Sequence, residues 1–270
     1  FYAYDRALIL ARVRALVAAL EGHVALHYAV KANPMPAILC ALAGEVGGFD
    51  VASAGELKLA LDAGMPGVRI SFAGPGKTEA ELVQAVAAGI VVNVESLREI
   101  HLLDEISRAS GCTARVAIRV NPDFELKSSG MKMGGGSKPF GIDAEQVPAA
   151  LLEIGQRQLE FEGFHLFAGS QNLRAASLIE AQSKSYELAR ALSAYAPSPP
   201  RTLNLGGGFG LPYFPGDQVL DVEAVAAHLR ALAQRAASEL PGCRLAIELG
   251  RYLVGEAGVY VTRVVDRKVS

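Results

Sequence analysis

The sequence predicts an α/β fold, a TIM-like (β/α)8 barrel, and two observations support this prediction. Eight short β-rich runs follow one another along the 270 residues, separated mostly by Ala- and Leu-rich segments with helical spacing. Strands that alternate with helices pair in parallel, and eight such units is the number at which the sheet can close into a barrel. The alternative, an open doubly wound sheet, lacks the G-x-G-x-x-G motif expected after its first strand.

Each element of the predicted barrel can be located. The strands lie near residues 24–30, 48–52, 69–73, 89–94, 115–120, 161–168, 202–205 and 244–248, and a helix over 5–20 precedes them. Capping boxes, in which a side-chain oxygen and a glutamate three residues later satisfy free backbone amides, mark the starts of three further helices. These boxes pair Ser53 with Glu56, Thr78 with Glu81, and Ser96 with Glu99.

Two segments depart from the alternation of strands and helices. Residues 121–143, NPDFELKSSGMKMGGGSKPFGID, are too long for an ordinary connection, and loops of that length are usually functional. The last residues, GVYVTRVVDRKVS, read as a strand that leaves the barrel. We therefore expect a barrel domain over residues 1–251 and, over residues 252–270, the start of a C-terminal β domain that is otherwise absent. Both ends of the chain are expected to be trimmed.

Composition and charge exclude several classes of partner. The net charge is −2 and no dense basic run occurs, so we expect neither nucleic acid nor a membrane surface as a partner. No apolar stretch reaches membrane-spanning length, and we expect no signal peptide. The three cysteines are widely spaced, which fits reduced thiols in a cytoplasmic protein, and the five histidines show no metal-ligand spacing. Small molecules or proteins remain as the expected partners.

Unusual polar and glycine residues follow the predicted strands, where the active sites of (β/α)8 barrels lie. If these were only turn residues, they would be spread over both ends of the barrel, because helix-to-strand loops need turn residues too. Their clustering therefore predicts one site. In strand order they are Lys31, Asp50, Gly74, Glu95, Asn121, Ser170, Gly206–Gly208 and Glu248–Arg251.

Lys31 in HYAVKANP poses the sharpest question, because an ammonium group taken out of water costs several kcal/mol unless it is paired, neutralised or covalently bound. The alternative is that its side chain extends into solvent at a strand end. Glu248 follows the apolar run RLAI and needs a cationic partner, either Arg251 or a protonated heterocyclic nitrogen. Arg119, in RVAIRV, requires either an ion-pair network or a cofactor.

The run NLGGGFG, residues 204–210, is either a flexible turn or a loop whose backbone amides bind an anion. Its place after the seventh strand favours the anion, because barrels commonly hold phosphate between the seventh and eighth loops. Ser170 and Arg251 can add a hydroxyl and a guanidinium, although a helix cap and a surface ion pair are the alternatives. An amine, a carboxylate, an interior arginine and a phosphate loop at one barrel mouth together describe a site for pyridoxal phosphate.

At this point the motifs resemble a known family. YAVKAN and FDVASAGEL, residues 49–57, are similar to signatures of the fold type III pyridoxal-phosphate decarboxylases, whose barrel is of the alanine racemase/decarboxylase type and whose members act on diaminopimelate, ornithine and arginine. The resemblance implies that Lys31 forms the Schiff base with the cofactor. The other implied contacts are Asp50 near the cofactor, Arg119 at the ring hydroxyl, Ser170 and Gly206–Gly208 at the phosphate, Glu248 at the pyridine nitrogen, and Arg251 on the phosphate side.

Within the family, MKMGGGSKPFG, FAGSQNL and NLGGGFGLPYF resemble the branch found with exosortase systems and, more distantly, the branch that decarboxylates glutamate carried on an acyl carrier protein. Two positions depart from the family pattern. Phe167 replaces the usual ring-stacking histidine, with His165 two residues earlier, and Leu249 replaces a proline. An aromatic ring can still stack but phenylalanine cannot donate a hydrogen bond, which favours a substrate other than the standard free amino acids.

The sequence thus predicts a pyridoxal-phosphate-dependent decarboxylase of an amino acid or a carrier-linked amino acid, with Lys31 and Glu248 as catalytic residues. A racemase of the same fold is one alternative, but the resemblance implies an arginine at the ring nitrogen of such enzymes. A non-catalytic pyridoxal-phosphate carrier is another. The family's second domain carries a cysteine and a tyrosine that enter the neighbouring subunit's site, so we expect a homodimer at full length and an incomplete active site in this chain.

Overall fold

Eight parallel strands close into a barrel in the computed structural model, which describes residues 1–124, 131–132 and 138–269. The strands of these residues are β1 Tyr2–Tyr4, β2 Val24–Ala29, β3 Gly48–Val51, β4 Ile70–Phe72, β5 Val91–Val94, β6 Ala114–Asn121, β7 Met131–Lys132, β8 Ile142–Asp143, β9 Leu159–Leu166, β10 Gly169–Ser170, β11 Thr202–Asn204, β12 Arg244–Leu249 and β13 Gly258–Tyr260. The α-helices are α1 Arg6–Leu20, α2 Pro36–Leu42, α3 Ala54–Asp62, α4 Glu79–Ala87, α5 Leu97–Ser110, α6 Val147–Gly155, α7 Ala175–Leu192, α8 Val222–Glu239 and α9 Arg251–Val254.

The pairing of the strands confirms the predicted barrel. Around the barrel the order is β2, β3, β4, β5, β6, β9, β11 and β12, and the β12–β2 and β5–β6 pairs complete the ring. An open sheet would leave two edges unpaired, so that alternative is wrong. Each observed strand lies within three residues of its predicted limits. In the short strand β8, Ile142 and Asp143 pair with the last two residues of β6.

The helices form the outer layer and cover the outward faces of the strands. Helix α1 contacts α8 and α2, and so occupies the place that an eighth helix after β12 would take. Helix α9, which does follow β12, has only four residues. On β2, Leu26 and Tyr28 point outward and are buried against the helices, whereas Ala25, His27 and Ala29 line cavities inside the barrel. This alternation places chemistry inside and most of the apolar core outside the sheet.

The predicted capping boxes are correct at one position and need correction at two. Thr78 Oγ1 accepts a hydrogen bond from the amide of Glu81, and the Glu81 carboxylate accepts one from the amide of Thr78. The two serine caps accept from their helices as predicted. However, Glu56 and Glu99 accept from the amide of the residue before each serine, Ala52 and Glu95 respectively. Each of these amides follows the last residue of a barrel strand and has no backbone acceptor among the described residues. Both glutamates thereby fasten strand ends to helices.

The two segments outside the predicted alternation have different outcomes. Within 121–143, residues 125–130 and 133–137 lie outside the described part of the chain, and with them the five central residues of the MKMGGGSKPFG motif. At the other end, β13 pairs antiparallel with β1, and Tyr2 faces Tyr260. Leu253 and Val254 of α9 are buried in the core. The predicted boundary after residue 251 stays a prediction. No helix of the described residues has the length and apolarity to cross a bilayer.

Candidate active site

Lys31 stands at the mouth of the barrel, on a short turn. Strand β2 ends at Ala29, and a 3₁₀ turn over Val30–Ala32 carries Lys31 past the end of the sheet. Tyr28 Oη donates to the carbonyl oxygen of Asn33 at 3.0 Å, which holds this turn against the barrel. The turn lifts the side chain out of the wall and leaves it exposed, which is the alternative that the sequence left open beside a buried, covalently bound amine. Its place at the mouth agrees with the prediction.

Two cavities meet at this mouth. The first has a volume of about 330 Å³ and lies among the loops after β3, β4, β6 and β9. The second has a volume of about 350 Å³ and lies among the loops after β9, β11 and β12. Lys31, Phe167 and Glu248 line both cavities, so an amine, an aromatic ring and a carboxylate are presented to the same space from different strands.

Glu248 carries its charge in a largely buried position, with its side chain only 10% exposed. Its Oε2 atom lies 3.2 Å from His165 Nε2 and accepts from Asn204 Nδ2 at 3.3 Å. Burial raises the pKa of Glu248, but its interactions with His165, Lys31 and Arg119 outweigh burial and hold the pKa well below the ordinary value. The mouth therefore contains a carboxylate that stays ionised at neutral pH.

His165 and Phe167 take different places on the same strand end. His165 is buried beneath the mouth, and its Nδ1 atom has no hydrogen-bond partner among the described residues. Phe167 is half-buried and stands between the two cavities, where its ring can face a planar group. The end of the strand explains the difference, because β9 stops at Leu166: His165 still belongs to the barrel wall, whereas Phe167 lies in the loop beyond it.

Arg119 joins an ion pair, which is one of the two alternatives that the sequence left open. Its Nη1 atom lies 2.8 Å from Glu95 Oε1, and its guanidinium lies 4.9 Å from the centre of the Phe140 ring. Glu95 also accepts from the amides of Gly74 and Gly141. Burial raises the pKa of Glu95, but Arg119 and then Lys77 lower it, and the net pKa lies below the ordinary value. Arg119 still lines the first cavity.

Lys77 is a residue of this site that sequence reasoning missed. It is buried, lines the first cavity, and its Nζ atom lies 3.0 Å from Glu99 Oε1. In the sequence it follows Gly-Pro-Gly and reads as part of an exposed turn. The available signal was Glu99, whose capping role placed an acid close to the loop after β4. The Lys77–Glu99 pair fixes one wall of the first cavity.

The second cavity collects the groups predicted for an anion. Ser170, Gly208 and Arg251 line it, and Arg251 is exposed. Arg251 Nη1 donates to Tyr213 Oη at 3.0 Å, so the guanidinium is held by a loop beyond β11. The amide of Gly208 donates to no acceptor among the described residues. A hydroxyl, a guanidinium and a free amide donor thus face one space.

The other two glycines of the loop do not line this cavity, but they determine how closely the loop approaches. A Cβ atom on Gly207 would lie 1.9 Å from the carbonyl oxygen of Glu248, and one on Gly206 would lie 2.7 Å from the carbonyl oxygen of Leu166. Only glycine permits this contact between the loop and the ends of β9 and β12. Gly206 and Gly207 therefore hold the loop against the end of β12, while Gly208 lines the second cavity together with Glu248. A direct contact of Gly206 or Gly207 with phosphate stays a prediction.

Asp50 lies deeper than the sequence resemblance implied. Its carboxylate faces His27 and Ser71 in the interior of the barrel, one layer below the mouth. Its closeness to a cofactor stays a prediction. The residues at the mouth, in contrast, fit pyridoxal phosphate: a lysine amine and a carboxylate share both cavities, and the donors of the second cavity suit its phosphate. The fold and the mouth together define a pyridoxal-binding barrel.

The chain belongs to the pyridoxal-dependent decarboxylases, because residues 6–255 match the pyridoxal binding domain of that family. It is 38% identical over its whole length to the L-glutamyl-[BtrI acyl-carrier protein] decarboxylase of Niallia circulans and 35% identical to the diaminopimelate decarboxylase of Zymomonas mobilis, and it covers 64% of each. The diaminopimelate decarboxylase of Helicobacter pylori complexed with L-lysine superimposes with a TM-score of 0.83, at 30% identity, covering 96% of this chain and 65% of that one. The chain thus spans about two thirds of the length of these relatives.

Proposed function

We propose that this chain is the cofactor-binding barrel of a pyridoxal-phosphate-dependent decarboxylase, and that the whole protein removes a carboxyl group from an amino acid or a carrier-linked amino acid. One observation carries the proposal. Lys31 and Glu248, an amine and an ionised carboxylate, both line the two cavities that meet at the barrel mouth. The family to which the chain belongs supports the cofactor, and its relatives support the reaction.

When bound, pyridoxal phosphate supplies an aldehyde that condenses with amines and a ring that accepts electrons. The residues of the mouth have distinct tasks toward it. Lys31 would hold the cofactor through its Nζ atom, and Glu248 would keep a proton on the ring nitrogen by remaining ionised. Ser170, the amide of Gly208 and Arg251 would bind the phosphate. Phe167 would lie against the ring and exclude water from one face of it.

The acidic residue at position 248 favours decarboxylation over racemisation. A carboxylate stabilises a proton on a ring nitrogen, and a protonated ring accepts electrons more readily. An arginine at this place would repel that proton. Among the described residues around Glu248, Arg119 is committed to Glu95, and Arg251 donates to Tyr213 on the other side of the second cavity. Glu248 is therefore the residue we assign to the ring nitrogen.

For the substrate, we propose a carrier-linked amino acid. Support comes from the relative in Niallia circulans, whose name gives an acyl-carrier-protein substrate, and from Phe167, which cannot donate the hydrogen bond that a histidine would. The test is an assay of the whole protein for CO2 release from free glutamate, free diaminopimelate and carrier-linked glutamate, with Lys31→Ala as the inactive control. Release from the carrier-linked substrate is expected. Activity on free diaminopimelate alone would refute the proposal of a carrier-linked substrate. No CO2 release from any of the three substrates would contradict the proposed decarboxylase activity.

Further proposals rest on the sequence and on the family resemblance. We propose that the whole protein is a homodimer, that it acts in the cytoplasm, and that it belongs to the exosortase-associated branch. We also propose that residues 1–251 form the barrel domain and that residues 252–270 begin a C-terminal β domain. Light scattering of the whole protein tests the dimer, since a mass of one subunit would contradict it.

A further inference from the structure

A layer of polar side chains crosses the barrel interior one step below the mouth. His27 Nδ1 lies 3.3 Å from Asp50 Oδ1, and Ser71 Oγ donates to the same oxygen. Asn93 Nδ2 in turn donates to Ser71 Oγ at 3.2 Å. These four residues come from the consecutive strands β2, β3, β4 and β5. Interior layers of such barrels are usually filled by bulky branched apolar side chains, so this layer calls for an explanation.

His27 of this layer is the neighbour of Glu248. The two residues are directly paired in the parallel register of β2 and β12. Asn204, which donates to Glu248, lines the same lower cavity as His27. That cavity has a volume of about 260 Å³ and extends to the exposed side chains of Arg69 and Arg244 at the N-terminal ends of the strands. Two neighbours of Glu248, its strand partner His27 and its hydrogen-bond donor Asn204, thus line a polar cavity that opens on the opposite side of the barrel.

The charges around His27 can be counted from each neighbouring element. Asp50 on β3 and Glu248 on β12 are the acids beside it, and Arg69 and Arg244 lie at the rim of the lower cavity. Across that cavity, Arg115 on β6 and Glu162 on β9 form an ion pair of 2.8 Å. Higher on β9, His165 faces Glu248, with its Nε2 atom 3.2 Å from Glu248 Oε2. Burial lowers the pKa of His27, but Asp50, with a smaller effect of Glu248, raises it above the ordinary value.

We propose that His27 is a positioning residue for Glu248: Asp50 holds the imidazolium beneath the carboxylate, which stabilises the ionised form of Glu248 from the side opposite the mouth. Asp50 then acts through His27 and not at the cofactor. The lower cavity provides the route by which His27 gains and loses its proton, because part of its side chain, 17%, is accessible from there. The inference rests on the proposed function only for the task of Glu248.

The first test measures the titration of both partners in the protein without cofactor. Carbon-13 NMR of labelled histidine Cε1 and glutamate Cδ follows His27 and Glu248, assigned with His27→Gln and Glu248→Gln. In Asp50→Asn, the midpoint of His27 is expected to fall from above about 6.5 to below it, because burial then dominates. In His27→Gln, the midpoint of Glu248 is expected to rise. An unchanged midpoint in either variant would overturn the proposal.

The matched control is Glu153→Gln, which removes the carboxylate of a surface pair with the same spacing, 3.3 Å between His101 Nε2 and Glu153 Oε2. It should leave the midpoints of His27 and Glu248 unchanged. Because Asp50→Asn could prevent folding, Ser71→Ala serves as a milder variant that removes one hydrogen bond to Asp50 and should shift the midpoint of His27 less, in the same direction. No shift in a folded Ser71→Ala protein would count against Asp50 as the controlling group.

The second test uses the protein loaded with pyridoxal phosphate. The visible absorption spectrum is recorded against pH, and the pH at which it changes is expected to differ from wild type in His27→Gln and Asp50→Asn but not in Glu153→Gln. An unchanged spectral profile in the loaded variants would overturn the link from His27 to the mouth. Failure to load any cofactor would instead refute the proposed function, while the titrations still decide whether His27 and Glu248 are coupled.

Discussion

The mouth of the barrel and the layer beneath it are both rich in polar residues, but they use them differently. At the mouth, Lys31 and Arg251 are exposed and the amide of Gly208 is free of protein acceptors among the described residues. In the layer below, Asp50, Ser71 and the residues beside them bond to one another across the strands. The mouth presents exposed side chains and a backbone amide to its cavities, whereas the polar side chains of the lower layer bond to one another even where they line the lower cavity.

This difference distinguishes the residues that can bind a ligand from the residues that hold other side chains in position. Groups that face a cavity and lack protein partners are available to a ligand, whereas groups that satisfy one another fix each other's position. The ion pairs of Glu95 with Arg119 and of Glu99 with Lys77 combine the two arrangements. Their members are buried and satisfy each other, yet Arg119 and Lys77 also line the first cavity. The following predictions test the contrast, beginning with the largest expected effect.

Replacing the Glu248 carboxylate should lower the turnover rate more than the affinity for the cofactor. In Glu248→Ala of the whole protein, turnover should fall about 10²- to 10³-fold, the usual cost of removing one preorganised electrostatic partner. Part of the affinity for pyridoxal phosphate should remain, because Lys31 and the donors of the second cavity are intact. Steady-state kinetics and a cofactor titration by absorbance measure the two effects. Equal loss of both would contradict the task assigned to Glu248.

Breaking the buried ion pair of Glu95 with Arg119 should lower the free energy of unfolding. Glu95→Gln leaves the Arg119 guanidinium buried without its counter-charge, and removal of one partner of a buried pair costs about 3 to 5 kcal/mol in the free energy of unfolding. Urea denaturation measures it. The control is Asp62→Asn, which breaks an exposed pair with Lys58 and should cost about 0.5 kcal/mol or less. Similar losses in the two variants would contradict the distinction between buried and surface pairs.

The layer below the mouth should show a distinctive pH dependence. Because the pKa of His27 is raised in the folded protein, the pair with Asp50 contributes stability that is fully present below the unfolded value of about 6.5. That contribution is lost as the pH rises through the higher folded pKa. His27→Gln should therefore be most destabilising in acid and least destabilising above the folded pKa, as measured by thermal unfolding at several pH values. A loss of stability in His27→Gln that grows as the pH rises would contradict this prediction.

The smallest effect is expected at the helix cap that borders the mouth. Thr78→Ala removes one half of the capping box with Glu81 and should cost about 1 kcal/mol in the free energy of unfolding. Thr78→Ser keeps the hydroxyl and should restore most of it. Cofactor affinity should change little in either variant, since Thr78 lines neither cavity. A loss of several kcal/mol would mean that this cap holds the mouth itself.

Much of the fold and part of the mouth could be predicted from the sequence. The strands were predicted to within a few residues because each is a short apolar run, and the mouth was located because its polar residues follow those runs. The cofactor was predicted from an amine, a carboxylate, an arginine and a glycine-rich loop at one barrel mouth, and the family resemblance supplied the individual contacts. The exposure of Lys31 could not be predicted, because nothing in YAVKAN distinguishes a strand from the 3₁₀ turn that ends it.

The supporting layer was missed for a different reason. His27, Ser71 and Asn93 stand within strands and alternate with apolar residues, which is also the pattern of a strand with one face in water. Whether such residues face solvent or one another depends on partners more than twenty positions away, and these become neighbours only when the barrel closes. Lys77 was missed likewise, since its acid, Glu99, lies on the next helix of the barrel.

The most direct test of the central claim is to find the amine that holds the cofactor. The protein loaded with pyridoxal phosphate is treated with borohydride, digested and analysed by mass spectrometry. We predict that the pyridoxyl label is fixed on Lys31, and that Lys31→Ala abolishes it while Lys77→Ala, at a second lysine that lines the first cavity in the described part of the chain, does not. A label on Lys77, or no label on any lysine of the mouth, would contradict the account.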